Sequence, residues 1–159
     1  MTLTSFPEVG TQSFDFTLPS TIGEKFTLNE HRGKENVVLS FYVFDFSPVC
    51  TKEMCSFRDG LAELEKLNTK VVGISVDSLW SHKAFAQSLD IKFPLLSDFN
   101  KEVSRKYGVL YEDFRGLRGV SKRSVFVIDK QGTIRYRWVS EEAGKEPDYS
   151  EVRQILQTL

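Results

Sequence analysis

Cys50 and Cys55 are the only two thiols of the 159-residue chain, and they stand five residues apart in FYVFDFSPVCTKEMC. This spacing excludes a Cys-x-x-Cys redox motif, and two thiols are too few for the usual structural zinc sites. Two readings remain for each cysteine: a reactive thiol, or a residue that packs as a small hydrophobe. The apolar run VVLSFY (37–42) feeds the loop VFDFSPV, and Cys50 stands where helical periodicity begins. A sulfur there lies near free backbone N–H groups and the positive end of the helix dipole, both of which favour thiolate over thiol. Position therefore argues for a nucleophile. On a regular helix residues five apart are rotated by ~140° and rise ~7.5 Å, a Cα separation of about 8–9 Å. A disulfide needs about 4.4–6.8 Å. The two sulfurs can bond only if the first turn or two unwinds; otherwise Cys55 is a small apolar helix residue.

The elements that must position these thiols alternate in type. SFDFTLP and EKFTL flank the turn signal STIG and predict an N-terminal hairpin. VVLSFY has the composition of a strand buried on both faces. Met54, Phe57, Leu61 and Leu64 then share one helical face, in a helix that ends near NTK. Val71–Val76 repeats the buried-strand pattern, and Ser78 caps a helix running to about Leu89. FPLLSD is a third short strand, and KEVSRKYG a short helix ended by Gly108. RSVFVIDKQGTIRYRWV is a hairpin around Asp129-Lys130-Gln131-Gly132. At the C-terminus Asp148 and Glu151 form a capping-box pattern ahead of Val152, Ile155, Leu156 and Leu159, an amphipathic helix that should close one face of the sheet. The order β-α-β-α-β-α-β-β-α predicts a three-layer α/β sandwich with a mixed sheet in a single domain over 1–159.

Hydrophobic residues make up 40% of the chain and charged residues 27%, and 21 basic against 22 acidic side chains give a net charge of −1. Nothing in this balance points to nucleic acid or a membrane surface. The start, MTLTSFPEVGTQ, has no basic or apolar leader pattern, and no stretch approaches a membrane span. The chain reads as cytoplasmic, a compartment in which two close cysteines favour catalysis or redox chemistry over a structural bridge.

FDFSPVCTKEMCSFRD, with VVGISVDS and KRSVFVID, resembles the peroxiredoxins, in particular the Q or bacterioferritin-comigratory-protein subfamily, and the resemblance runs through nearly the whole chain. It implies a thioredoxin-like fold, a mixed central sheet flanked by helices with an N-terminal β-hairpin extension, and peroxide reduction without metal, heme or flavin. Cys50 matches the peroxidatic cysteine, which is oxidised to a sulfenic acid. Ser47 matches the hydroxyl that hydrogen-bonds thiolate and peroxide, Arg123 the guanidinium that stabilises both, and Glu53 an acid that holds the arginine. Cys55 sits where many subfamily members carry a resolving cysteine, which implies an intramolecular Cys50–Cys55 disulfide reduced by a thioredoxin-like dithiol. The physical demands agree: breaking O–O requires a deprotonated sulfur and donors aimed at the oxygen that gathers charge. Arg suits this because it stays charged and presents a fixed fork. One position departs from the pattern, with Val43 where the family has proline; valine is stiff and apolar, so shielding of the loop survives on this reading.

His31 and His82 lack the companions of a Cys-His hydrolase or an HExxH zinc site and are expected as surface or core residues. RGLRGVSKR (115–123) carries four basic residues, Arg123 among them, and is expected as a solvated loop able to attract anionic groups. The thirteen phenylalanines are expected mainly in the core, with a few free to line a pocket or build a homodimer interface. Two other classes fit a thiol here: a disulfide oxidoreductase, which would leave Ser47 and Arg123 without a purpose, and a redox-responsive chaperone or thiol switch with little turnover.

Overall fold

The computed structural model of the protein describes residues 7–159. The leader reading of the first six residues lies outside the described residues. A hairpin of β1 (Thr17–Pro19) and β2 (Lys25–Thr27) opens the chain, with Leu18 opposite Phe26. It is followed by a single 3-10 turn, Leu28–His31. The main sheet comprises β3 (Asn36–Phe41), β4 (Thr69–Ser75), β5 (Leu95–Ser97), β8 (Ser124–Ile128) and β9 (Ile134–Val139). Its strand order is β5-β4-β3-β8-β9. β3, β4 and β5 run parallel, whereas β8 and β9 are antiparallel to their neighbours, so the sheet is mixed as the alternating pattern predicts.

β3 is the central strand, and all six of its residues are buried. Its alternation divides the core between two faces. Val38 and Tyr42 pack with Met54, Phe57 and Leu64 of α1 (Pro48–Lys66), Phe85 of α2 (Leu79–Leu89), and Val152 and Leu156 of α4 (Tyr149–Gln157). Val37, Leu39 and Phe41 pack the other way, against Val103 of α3 (Glu102–Lys106), Tyr107 and the apolar side of the N-terminal hairpin. The three layers are thus helices, sheet, and hairpin with α3. Among the described residues no helix is long and apolar enough to cross a membrane.

Most boundaries follow their predicted signals. Ser78 caps α2 by accepting the Ser81 N–H at 3.2 Å. Gly108, at φ +71°, takes the left-handed conformation just past α3. Asp129 Oδ1 closes the β8–β9 turn by accepting the amides of Gln131 and Thr133, each at 2.9 Å. The C-terminal capping box is only half made. Asp148 accepts the Ser150 and Glu151 amides, but the Glu151 carboxylate turns to the Tyr136 hydroxyl at 2.9 Å instead of back to the cap. The basic segment also differs from a solvated loop: β6 (Leu110–Tyr111) pairs with β7 (Val120–Ser121), which buries Val120 and Ser121 two residues before Arg123.

Candidate active site

The loop that leaves β3 at its C-terminal end becomes α1 within six residues. Ser47 is the N-cap, in extended backbone, and Pro48 follows at the first helical position, where its fixed φ suits the turn and its missing N–H is no loss. The first intrahelical bond runs from the Thr51 N–H to the Ser47 carbonyl at 2.9 Å. The Val49 and Cys50 amides therefore precede the ladder, and Cys50 sits in the first turn as the periodicity predicts.

The Cys50 side chain is fully buried, and so is Arg123, immediately before β8 and 73 residues further along the chain. Arg123 Nη2 donates to Cys50 Sγ at 3.0 Å, and Nη1 donates to Glu53 Oε1 at 2.8 Å. Nε and Nη2 both donate to the Ala143 carbonyl, at 3.0 and 2.7 Å. Glu53, one turn beyond Cys50, accepts a second bond from the Ser40 hydroxyl of β3 at 3.3 Å. Burial pushes the Glu53 carboxyl up to about 7, against the pull of Arg123. Burial works against the Arg123 cation too, but the charges of Glu53 and Cys50 outweigh it and hold the group above its ordinary value. A buried cation with a sulfur, a carboxylate and a carbonyl on its fork cannot turn away without leaving a charge unpaired.

A cleft of about 280 Å³ opens beside this group, lined by Val43, Phe44, Ser47, Phe114, Arg123 and Ala143 among others. Its walls are mostly apolar, and Arg123 puts its charge into the floor. Ser47 lines the cleft as expected, but its hydroxyl donates to the Phe44 carbonyl at 2.8 Å, so the expected bond to the Cys50 sulfur is not made in this arrangement. Cys55 is half-buried further along the unbroken α1, and both cysteines are free thiols.

These features together match a known family. Residues 9–137 match the AhpC/TSA family. The chain belongs to the peroxiredoxins. It is 36% identical over 163 residues to the chloroplastic 2-Cys peroxiredoxin BAS1 of Hordeum vulgare, covering 96% of this chain and 75% of that protein. It is 38% identical over 144 residues to the chloroplastic peroxiredoxin Q of Sedum lineare, covering 91% and 75%. The crystal structure of peroxidoxin BcpB from Mycobacterium tuberculosis superposes with a TM-score of 0.82 at 32% identity, covering 96% of each chain. Against its chloroplastic relatives this peroxiredoxin spans between 59% and 75% of their own length. Family membership makes it a thiol peroxidase, an oxidoreductase on a thioredoxin-like fold.

Three partners of the site carry no motif in the sequence. The Ala143 carbonyl is a backbone atom in the β9–α4 connection and has no sequence signal. Ser40 is one more residue of a buried strand. The third is a polar network around Asp45, whose carboxylate binds the Tyr42 hydroxyl at 2.6 Å and His82 Nδ1 at 2.8 Å. A signal for His82 was available: it lies three residues before Phe85 and seven before Leu89, on the apolar face of α2. Among the described residues Asp45, Asp77 and His82 also bring possible metal-ligand atoms within 4.8 Å of one another. Those atoms are spent on hydrogen bonds to each other and to Tyr42, Ser75, Ser81 and Leu96, which reads as a structural network. Between this network and the N-cap, Phe46 has φ +66°, a conformation that costs a bulky residue about 1–3 kcal/mol.

Proposed function

We propose that the peroxiredoxin reduces hydrogen peroxide and alkyl hydroperoxides at Cys50 in a cycle resolved by Cys55. The observation that carries this reading is the 3.0 Å contact of the Arg123 guanidinium with the Cys50 sulfur, braced by Glu53. The Cys50 thiolate attacks the terminal oxygen of the peroxide. An S–O bond forms, the O–O bond breaks, and the departing alkoxide or hydroxide takes up a proton. Cys50 is left as a sulfenic acid, two electrons more oxidised, and the peroxide as an alcohol or water. Arg123 lies where it can donate to the oxygen that gathers charge, and a turn of the Ser47 hydroxyl away from Phe44 would supply a second donor. The apolar walls of the cleft suit the alkyl part of a hydroperoxide.

The sulfenic acid is then attacked by the Cys55 thiolate, which expels water and closes a Cys50–Cys55 disulfide. Unwinding of the start of α1 brings the sulfurs together. A thioredoxin-like dithiol reduces the bridge by thiol–disulfide exchange, taking the oxidation onto its own sulfurs. In steady-state assays with thioredoxin and its reductase, Cys50→Ser should lose all peroxide turnover. Cys55→Ser should keep a single stoichiometric turnover, lose sustained cycling, and pass to sulfinate sooner. Unimpaired cycling by Cys55→Ser would contradict internal resolution and assign that step to an outside thiol.

A further inference from the structure

The loop that delivers Cys50 is held by buried groups that take no part in the peroxide step. The Asp45 side chain is 1% exposed and lies two residues before the N-cap Ser47. It accepts from the Tyr42 hydroxyl at 2.6 Å, the Ser81 hydroxyl at 2.8 Å and His82 Nδ1 at 2.8 Å. His82 is fully buried, and its Nε2 meets the Leu96 carbonyl at 2.8 Å. One ring nitrogen of His82 thus meets a carboxylate of the loop and the other a carbonyl of β5. The Asp45 backbone N–H donates to Asp77 Oδ2 at 2.8 Å, an oxygen that also accepts from the Ser75 hydroxyl at 2.6 Å. Asp45, Asp77 and Tyr42 are the titratable groups facing His82. One loop residue is thereby tied to the ends of β3 and β4, to β5 and to α2.

Phe46 follows at once, with φ +66°, a backbone state that a large side chain keeps only when its surroundings impose it. Its ring rests against Phe85 with centroids 5.0 Å apart, and Ser47 then returns to extended backbone and starts α1. This reversal sets where the first turn begins and so where the Cys50 sulfur meets Arg123.

We propose that Asp45 and His82 are positioning residues: their hydrogen-bonded pair holds the loop 44–47 so that Cys50 faces Arg123, and breaking the pair releases the loop. This rests on Cys50 being the peroxide-reactive thiol. With the pair broken, buried polar atoms of the loop are left without partners, an arrangement that favours opening. Phe46 can then relax and the first turn of α1 can fray. The closed loop favours attack on peroxide, and the open loop favours closure of the Cys50–Cys55 bridge.

Wild type, Asp45→Asn and Tyr42→Phe are compared in stopped-flow reactions with hydrogen peroxide. Sulfenate formation and disulfide closure are followed as separate phases. Asp45→Asn keeps the shape but not the charge; its first phase should slow at least about tenfold and its second should quicken. Tyr42→Phe removes one hydrogen bond and should move both phases the same way by about threefold. A merely structural role would lower the melting temperature and leave both rate constants unmoved. Folded Asp45→Asn with both rate constants within about twofold of wild type would overturn the proposal; if it does not fold, Tyr42→Phe decides by the same criteria. Should wild-type Cys50 not react, the peroxidase reading fails. Hydrogen exchange of amides 45–51 then tests the anchor alone: faster exchange in Tyr42→Phe supports it, and unchanged protection refutes it.

Discussion

At the scale of single residues the site turns on the fork of one guanidinium. Arg123 reaches a sulfur, a carboxylate and a carbonyl at once, a demand that the point charge of lysine cannot meet. Arg123→Lys should lower the second-order rate constant for Cys50 oxidation by about 10²-fold; a fall of less than about threefold in rapid mixing would mean that charge without geometry suffices. Glu53 has a consequence of its own for stability. Its carboxyl is raised from 4.5 to about 7 in the folded protein. Between those values the folded state holds a proton that the unfolded state has released, so the contribution is full below about pH 4.5 and is lost as pH rises toward 7. Glu53→Gln has no proton to lose. In urea melts from about pH 4.5 to 8 the wild type should lose on the order of 2 kcal/mol relative to that variant. Parallel curves would contradict the buried, raised carboxyl.

At the scale of elements the seating of α1 on the sheet depends on a bare position in β4. A Cβ added at Gly73 would lie 2.8 Å from Leu95 Cδ2, 3.2 Å from Met54 Sδ and 3.3 Å from Tyr42 Cε1. Gly73→Ala should therefore push against β5, α1 and the end of β3, costing about 1–3 kcal/mol. For a chain of this length the melting temperature should fall by roughly 3–10 °C in calorimetry; an unchanged value would show that the layers are looser than these contacts require. Elements with a full period were legible in the sequence. α1 showed itself through Met54, Phe57, Leu61 and Leu64, and β3 through its unbroken apolar run. β6 and β7, two residues each, are too short for a period to show, so the burial of Ser121 next to Arg123 was hidden in what looked like a charged loop. Asp148 was legible as a cap, but the choice of Glu151 between its helix and Tyr136 was made by the neighbouring strand.

At the scale of the whole molecule the site is a product of strand order. β3 lies between β4 and β8, so the end of β3 that launches Cys50 stands beside the start of β8 that carries Arg123. The β9–α4 connection adds Ala143. The candidate thiol and its place at a helix start could be read from the cysteines and the periodicity, whereas the bracing of the arginine could not, because Ser40 meets Glu53 and the Ala143 carbonyl meets Arg123 only once the sheet is assembled. The same assembly limits the motion that the proposed cycle needs. Phe57 and Leu64 anchor α1 in the core beyond Cys55, so unwinding should be confined to the turns that hold Cys50 and Cys55. The most direct measurement is stopped-flow tryptophan fluorescence of the reduced protein mixed with hydrogen peroxide, followed by mass spectrometry of the product. Rapid consumption of one equivalent with an internal Cys50–Cys55 bridge is the predicted result. A slow reaction, or Cys50 sulfinate with Cys55 still a free thiol, would contradict the two-cysteine peroxidase cycle.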